Sequence, residues 1–301
     1  MCAEEYLADQ IPCEPPLAVA MLAVLLMHLV FHLSCRATMV MLVAMHCVLS
    51  QTVNGALTDQ LPNDPRSILN WFNLDPQCSS VLQCPVCYAL YPYSGTITSA
   101  PPEINRCSYK PTPSSPPCDV PLWEECRSGG RTFLAPRRKY VHQSLKDWVR
   151  QLLARPGVAE QFREPCDRTA LCDIWDSPVL RNFRDVDGRG FFRGRGDEIR
   201  LAFSLNMDGF NLFHMLKAKQ SVSCTAIYMV ILNFPPHLRF LFRNMYLAGV
   251  IPGPGKPSLD QINHTLSLLV TELLKFWKGV YYTAIYAPLV RQPTCEAYMA
   301  V

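Results

Sequence analysis

Two groups of residues in this chain have the types and spacing that chemistry requires, an isolated aspartate and a set of cysteines. Asp208 lies in LAFSLNMDGFNLF at residues 201–213, a largely apolar run with strand periodicity. Acids are scarce in such runs, because a buried carboxylate without a partner is costly or becomes protonated. If Asp208 projects from the strand into an open cleft, its oxygens can bind a divalent cation such as magnesium. Alternatively, Asp208 and Gly209 form the central pair of a β-hairpin turn.

The cysteine group contains Cys84-Pro-Val-Cys87, in which two thiolates can occupy adjacent corners of a zinc tetrahedron. Partners are expected from Cys107 and Cys118, with Cys126 or Cys78 in reserve. The intervening segment is rich in Pro, Ser and Thr, so a metal would supply the stability that a small apolar core cannot. We expect structural zinc there, and the alternative is a set of unliganded thiols. The other cysteines lack metal-like spacing and are interpreted as small buried hydrophobes: Cys2, Cys13, Cys35, Cys47, Cys166, Cys172, Cys224 and Cys295.

Composition indicates a globular chain that is not held together by disulfides. Its 301 residues are enough for a sizeable core, and its 14 cysteines come without a convincing signal peptide. The net charge of +3 proves no nucleic-acid partner, but residues 127–155 contain eight Lys or Arg and one acid. This basic segment is either a phosphate-contacting patch or a solvated surface. Apolar spacing from Leu145 to Leu153, with Ser144 as cap and Pro156-Gly157 as stop, predicts a helix inside it.

The N-terminal region contains two apolar runs, at residues 17–33 and 37–49. The first is shorter than the roughly 20 residues of a membrane span, and acidic residues precede it. We therefore predict two helices that pair or are buried, while a small membrane-anchored protein remains the alternative.

Four segments taken together resemble the transposases of CACTA (En/Spm)-type DNA transposons, in particular their fungal (basidiomycete) branch. They are LNMDGFNLF, ILNFPPHLR, YLAGVIPGPGKPSLDQIN and ELLKFWKGV, and the resemblance extends over about residues 60–290. It implies an RNase H-like core in which acidic residues hold two magnesium ions for DNA cleavage and strand transfer. Asp208 matches the first of those acids, and Cys84, Cys87, Cys107 and Cys118 match a shared cysteine module. The implied partner is DNA at transposon ends, in the nucleus.

The chain departs from that family where the next acid is expected. Arg291 and Gln292 stand there, and we expect the last acid to be missing from a truncated copy. Glu296 lies near the terminus. Asp260 follows a capping box of Ser258 and Gln261, and Glu272 is interpreted as part of a solvated helix face. The sequence thus predicts a degenerate, inactive transposase-like protein. The alternative is a non-enzymatic DNA-binding or dimerising remnant that associates with itself or with an intact transposase.

The fold class expected from these segments is mixed α+β, with a partial RNase H-like core. Its predicted divisions are a hydrophobic helical segment at 1–55, a cysteine-rich module at 56–130, a basic helical connector at 131–200 and the core at 201–301. Within the connector, the Gly- and Arg-rich residues 184–200 are either a plain mobile loop or a surface where Phe191 and Phe192 stack on a single strand.

Overall fold

The computed structural model describes residues 15–52, 58–72, 76–95, 103–163, 173–185, 187–192, 198–211, 223–282 and 295–300. The chain divides into two compact units, residues 1–76 and residues 77–301. The architecture is mixed α+β, as predicted, with helices at the N-terminus and a large sheet in the second unit.

The first unit contains helices α1 (Pro15–Leu29), α2 (Cys35–Thr52) and α3 (Pro65–Trp71). The two apolar runs of the sequence form α1 and α2, which pack on each other and on α3. Their buried side chains form one cluster, to which α1 contributes most: Leu17, Met21, Val24, Leu25, Leu42, Leu61 and Ile68. Within the described ranges, no helix is both long and apolar enough to cross a membrane.

The second unit is built around an eight-stranded sheet in the order β2-β1-β5-β8-β7-β6-β10-β9. The strands from β2 to β6 in this order are antiparallel, whereas β10 pairs parallel with β6. The strand bounds are β1 (Cys78–Gln83), β2 (Leu90–Tyr91), β5 (Lys139–Gln143), β6 (Glu198–Asn211), β7 (Ser223–Ile231), β8 (Met245–Ile251), β9 (Val280–Tyr282) and β10 (Cys295–Ala300). A separate hairpin joins β3 (Trp123–Ser128) to β4 (Arg131–Pro136) through Gly129 and Gly130, which both have positive φ.

Helices α4 (Leu145–Leu153), α5 (Val158–Arg163) and α8 (Leu259–Trp277) pack against one face of this sheet. Two short helices, α6 (Pro178–Arg181) and α7 (Pro236–Arg239), lie in the connections between strands. Helix α4 begins where the sequence predicts, because the Ser144 hydroxyl accepts a hydrogen bond from the Asp147 N–H at 3.2 Å. Helix α8 begins with the predicted capping box of Ser258 and Gln261. The core between sheet and helices includes Leu201 and Phe203 of β6.

Two tight approaches fix the edge of this core. A Cβ at Gly249 would lie 2.3 Å from the Tyr140 hydroxyl, so β8 can pass this buried ring only with glycine there. The Tyr246 hydroxyl donates to the Gln143 carbonyl at 2.5 Å. Burial, aided by the charge of nearby Glu272, raises the pKa values of both Tyr140 and Tyr246, so both phenols stay neutral.

The interpretation of Glu272 as part of a solvated face is wrong. Its carboxylate lies 2.9 Å from Nε2 of His142 and accepts the backbone N–H of Leu145 at 3.1 Å. Both side chains of the His142–Glu272 pair are largely buried. Glu272 therefore joins helix α8 to strand β5 and satisfies the first N–H of helix α4.

The aromatic residues of the Gly- and Arg-rich segment do not form the expected stacking surface, and residues 186 and 193–197 of that segment lie outside the described residues. Phe191 is 2% exposed, stacks on Trp277 with ring centroids 5.6 Å apart, and lies beneath the Arg200 guanidinium. Phe192 packs edge-on against Trp175. Phe191 is therefore part of the core and is not presented to a nucleic-acid strand, while Phe192 is half-buried against Trp175.

The thiols outside the metal-like set differ among themselves. Cys224 is buried, as predicted, but Cys35 and Cys47 are exposed, so the prediction is wrong for these two. Cys35 and Cys47 lie on α2, which buries only part of its surface. Cys2, Cys13, Cys166 and Cys172 lie outside the described residues, and for Cys295 only the backbone is described.

Replacing Glu272 with alanine tests its structural role. The change leaves the buried Leu145 N–H and the His142 ring without their acceptor, and we expect it to lower the free energy of unfolding by about 2–4 kcal/mol. Urea denaturation followed by tryptophan fluorescence measures this. The control is Asp260→Asn, which removes an exposed charge from the same helix and should cost no more than about 1 kcal/mol. Equally small losses in both variants would contradict the assignment.

Candidate metal centre and the Asp208 strand

The cysteine module is shaped by two short backbone motifs. After β1, the chain turns so that the Cys84 N–H donates to the Ala89 carbonyl and the Tyr88 N–H donates to the Cys84 carbonyl. This turn presents Cys84 and Cys87 on one side. Opposite it, the Cys118 N–H donates to the Tyr109 carbonyl at 2.8 Å, which holds the segments of Cys107 and Cys118 side by side.

All four sulfur atoms converge. The Sγ atoms of Cys84, Cys87, Cys107 and Cys118 lie within 4.8 Å of one another, with 3.3 Å between Cys87 and Cys107 and 3.8 Å between Cys84 and Cys118. Ligands at about 2.3 Å around a tetrahedral zinc ion stand roughly 3.8 Å apart, so the donor set fits zinc in number, type and spacing. Cys78 and Cys126 do not belong to this group. The site is closed by four protein ligands, which is typical of structural zinc.

Hydrogen bonds prepare one thiol for metal binding. Burial raises the pKa of Cys107, but hydrogen bonds from the Tyr91 hydroxyl and the Tyr109 N–H outweigh it, so the net pKa lies below the ordinary value. Burial raises the pKa values of Cys87 and Cys118. Zinc must therefore displace protons from these two thiols, and its binding is expected to weaken as the pH falls. The Tyr91 hydroxyl lies 3.2 Å from the Cys107 sulfur and orients it.

The module is attached to the rest of the second unit by polar contacts to the two residues inside the CxxC turn. Gln261 of the α8 capping box donates to the Val86 carbonyl at 2.9 Å, and Arg138 reaches the Pro85 carbonyl at 3.4 Å. The Tyr109 ring packs edge-on against His264 of α8 at 4.5 Å. Sequence reasoning missed the contacts that Tyr91, Arg138 and Gln261 make with the cysteine module, because these contacts join distant segments.

Asp208 lies within strand β6 and not at its end. It pairs with Ala226 of β7, and Gly209 pairs with Thr225, so the interpretation of Asp208-Gly209 as a hairpin turn is wrong. The strand continues to Asn211 because β7 pairs with it from Phe203 to Asn211. Alternation along β6 places Asp208 on the face opposite to core residues Leu201 and Phe203, and its side chain is exposed.

The loop at residues 252–257 lies against this end of the sheet. A Cβ at Gly253 would be 2.3 Å from the Ser223 carbonyl, and a Cβ at Gly209 would be 3.5 Å from Cε of Lys256. Arg138 holds the loop by donating to the carbonyls of Gly253 (3.2 Å) and Pro254 (3.4 Å). Because the same guanidinium contacts the CxxC turn and lies over the Tyr88 ring, it links the cysteine module to the loop beside Asp208.

The described residues around Asp208 do not form a comparable site for magnesium. Among the described residues, the four cysteines are the one group of three or more His, Cys, Asp or Glu side chains placed to share a metal ion. Asp208 belongs to no such group, and Asp260 is exposed in the first turn of α8. Backbone pairing places Glu296 opposite Glu198, far along β6 from Asp208, while Arg291 and Gln292 lie outside the described residues.

The basic segment at 127–155 is divided between internal and exposed positions. Arg138 is buried, Arg150 is paired with Asp147 at 2.5 Å, and Arg155 donates to the Arg243 carbonyl. The five other basic side chains are exposed: Arg127, Arg131, Arg137, Lys139 and Lys146. Phosphate contact by this segment is therefore open to the exposed subset and to Arg155, which is part-exposed.

Comparison with known proteins gives a family match for the part of the chain that contains Asp208. Residues 175–287 match the family model described as transposase family tnp2. The match contains Asp208, the strands β6 to β8 and helix α8, so the resemblance to CACTA-type transposases is confirmed over these residues. Its extension towards residue 60 stays a prediction. No curated protein and no solved structure matches the chain.

Zinc content tests the ligand assignment. The purified chain should hold one zinc ion, and Cys107→Ser should lose it on dialysis because three thiolates leave the tetrahedron incomplete. Cys126→Ser and Cys78→Ser are matched controls outside the cluster and should keep the ion. Metal analysis by mass spectrometry gives the stoichiometry. Retention of zinc by Cys107→Ser, or its loss from Cys126→Ser, would refute the assignment.

Hydrogen exchange tests the link through Arg138. Arg138→Ala removes the donor to Gly253 and Pro254, and we expect amides in residues 249–262 to exchange about tenfold faster, as the loss of roughly 1.4 kcal/mol implies. Zinc content should not change. Arg137→Ala, which alters an exposed neighbour 3.9 Å from Glu124, should leave the exchange unchanged. Equal rates in all three proteins would show that Arg138 does not hold the loop.

Proposed function

We propose that this chain is a transposase-related DNA-binding protein that is built on an RNase H-like core and does not cleave DNA. The observation that carries the proposal is the combination of strand order and the position of Asp208 within a segment that matches the tnp2 transposase family. Zinc held by Cys84, Cys87, Cys107 and Cys118 has a structural role in this proposal.

The topology from β6 to β10 supports the RNase H-like assignment. An RNase H-like core has three consecutive antiparallel strands, then a helix, then a fourth strand that lies parallel to the first. Here β6, β7 and β8 are antiparallel neighbours, α8 follows, and β10 pairs parallel with β6. The short strand β9, antiparallel to β10, and the strands β1, β2 and β5 at the other edge are additions to this plan.

The number of available acids argues against cleavage by the described residues. Two metal ions about 3.5–4 Å apart need several anionic oxygens, and one carboxylate cannot hold both. Ala226 occupies the neighbouring position on β7, and the described pairing of β10 with β6 ends at Ala202, six residues before Asp208. The described side chains therefore do not fit a magnesium pair, and no catalytic step is assigned to them.

A DNA partner is supported by the family match and by the exposed basic side chains on β3, β4, β5 and α4. Their contacts would be with phosphates and therefore independent of sequence. Transposon ends in the nucleus are the setting that the family implies. Self-association, or association with an intact transposase, would let such a protein regulate transposition without cutting DNA.

A plasmid-nicking assay tests the proposal. With magnesium or manganese present, the chain should nick supercoiled DNA no more than Asp208→Ala does, because the described residues offer one carboxylate where two ions need several. In gel-shift measurements both proteins should bind duplex DNA, with affinity falling as salt rises. Manganese-dependent nicking that disappears in Asp208→Ala would show that the chain does cleave DNA. Failure of both proteins to bind duplex DNA would refute the assigned partner.

A further inference from the structure

The connection between β7 and β8 is braced by an unusual number of buried polar contacts. Both terminal nitrogens of Arg239 donate to the Asp173 carboxylate, at 2.6 and 2.5 Å, and its Nε donates to the Phe234 carbonyl at 2.6 Å. Both partners of this ion pair are buried. Asn244, also buried, donates to the Leu238 carbonyl at 2.9 Å. The residues between Arg239 and Asn244 are therefore held on a rigid base.

This base presents two phenyl rings to solvent. Phe240 is 69% exposed and Phe242 is 92% exposed, with Leu241 between them. A loop with so many constraints is not free to turn these rings inward, so their exposure is built into the fold. Exposed apolar side chains that lie next to one another are typical of interaction sites, whereas isolated ones are common on any protein surface.

Two arginines belong to the same part of the surface as the rings. Arg243 is exposed, and Arg155 donates to the Arg243 carbonyl at 2.9 Å and to the Asn244 side-chain oxygen at 3.1 Å. These hydrogen bonds keep Arg155 beside Arg243, and burial, followed by the charge of Arg243, lowers the pKa of Arg155. Residues 231–246 contain no Asp or Glu. Such an arrangement favours an anionic partner.

We propose that Phe240 and Phe242, with Arg155 and Arg243, form a binding site for unpaired bases of a nucleic-acid strand. We call this surface the Phe240–Phe242 ridge. The phenyl rings would stack on bases and the guanidinium groups would contact the adjoining phosphates. Bases in a duplex are covered by their neighbours, so the ridge favours single strands. This inference deepens the proposed function and rests on it, since it names where an unpaired strand is held.

A second copy of the chain is a poorer occupant. A two-fold contact through the ridge would bring Arg155 and Arg243 against their own copies, and repulsion would oppose the apolar contact. The ridge also lies away from Asp208. Ile231, where β7 ends, pairs with Phe203, and five residues along β6 correspond to about 17 Å. Strand binding at the ridge should therefore not depend on Asp208.

Fluorescence anisotropy with labelled oligo-dT tests the proposal on the full chain. The double variant Phe240→Ala/Phe242→Ala should bind oligo-dT at least about tenfold more weakly, whereas binding to a duplex of equal length should change less than about twofold. Arg243→Ala should weaken the binding of both oligo-dT and the duplex, and it should reduce the salt dependence of binding. Leu259→Ala, which removes another highly exposed apolar side chain, and Asp208→Ala should leave the affinity for oligo-dT unchanged.

Spectroscopy supplies a direct readout of stacking. Phe242→Trp should keep the affinity for oligo-dT, and its additional fluorescence should be quenched on binding. An unchanged affinity of the double variant for oligo-dT would overturn the proposal, as would an absence of quenching in Phe242→Trp. The double variant could also keep its affinity for oligo-dT but lose self-association in sedimentation, which would overturn the proposal in favour of a second copy of the chain. Loss of binding to phosphatidylserine vesicles with unchanged oligo-dT binding would overturn it in favour of a membrane surface.

The two proposals can fail separately. If the chain binds duplex DNA but the double variant binds oligo-dT normally, the ridge assignment fails and the proposed function stands. If oligo-dT binding depends on the ridge and Asp208-dependent nicking is also observed, the ridge assignment stands and the claim that the chain does not cleave DNA fails.

Discussion

Two metal ions on a phosphodiester require anionic oxygens that converge from neighbouring strands, and the pairing of β6 determines which residues can supply them. Asp208 has Ala226 on one side, and the described part of β10 ends its ladder opposite Ala202 on the other. Its carboxylate is exposed and stands apart from any group of possible ligands among the described residues. Because Asp208 is a single carboxylate without a neighbouring acid among the described residues, the proposed account includes DNA binding but not DNA cleavage.

The cysteine module contributes to the same end of the sheet through Arg138. Its four sulfur atoms lie in a small apolar cluster with Ala89 and Leu122, and the carbonyl groups inside the CxxC turn are bound by Arg138 and Gln261. Arg138 also binds the loop that passes beside Gly209. Metal binding by the cysteines would therefore stabilise more than the module itself. The buried His142–Glu272 pair acts similarly, since it joins α8 to β5 and to the start of α4.

Local signals in the sequence predicted much of this arrangement. The caps of α4 and α8 depend on residues three positions apart, so Ser144 and the Ser258–Gln261 box were readable without tertiary information. The CxxC spacing likewise indicated the zinc-type cluster. The errors arose where the decisive partner is distant in sequence. Glu272 has the spacing of a surface residue, but His142 lies 130 positions away. Asp208-Gly209 favours a turn locally, but the length of β7 keeps it in the strand.

The central claim concerns how many metal ions the Asp208 end of the sheet can hold. Crystals of the chain soaked in manganese and measured for anomalous scattering test it most directly. The account predicts anomalous density for zinc at the four cysteines and no manganese pair beside Asp208. Two well-occupied manganese ions within about 4 Å of each other next to that carboxylate would contradict it.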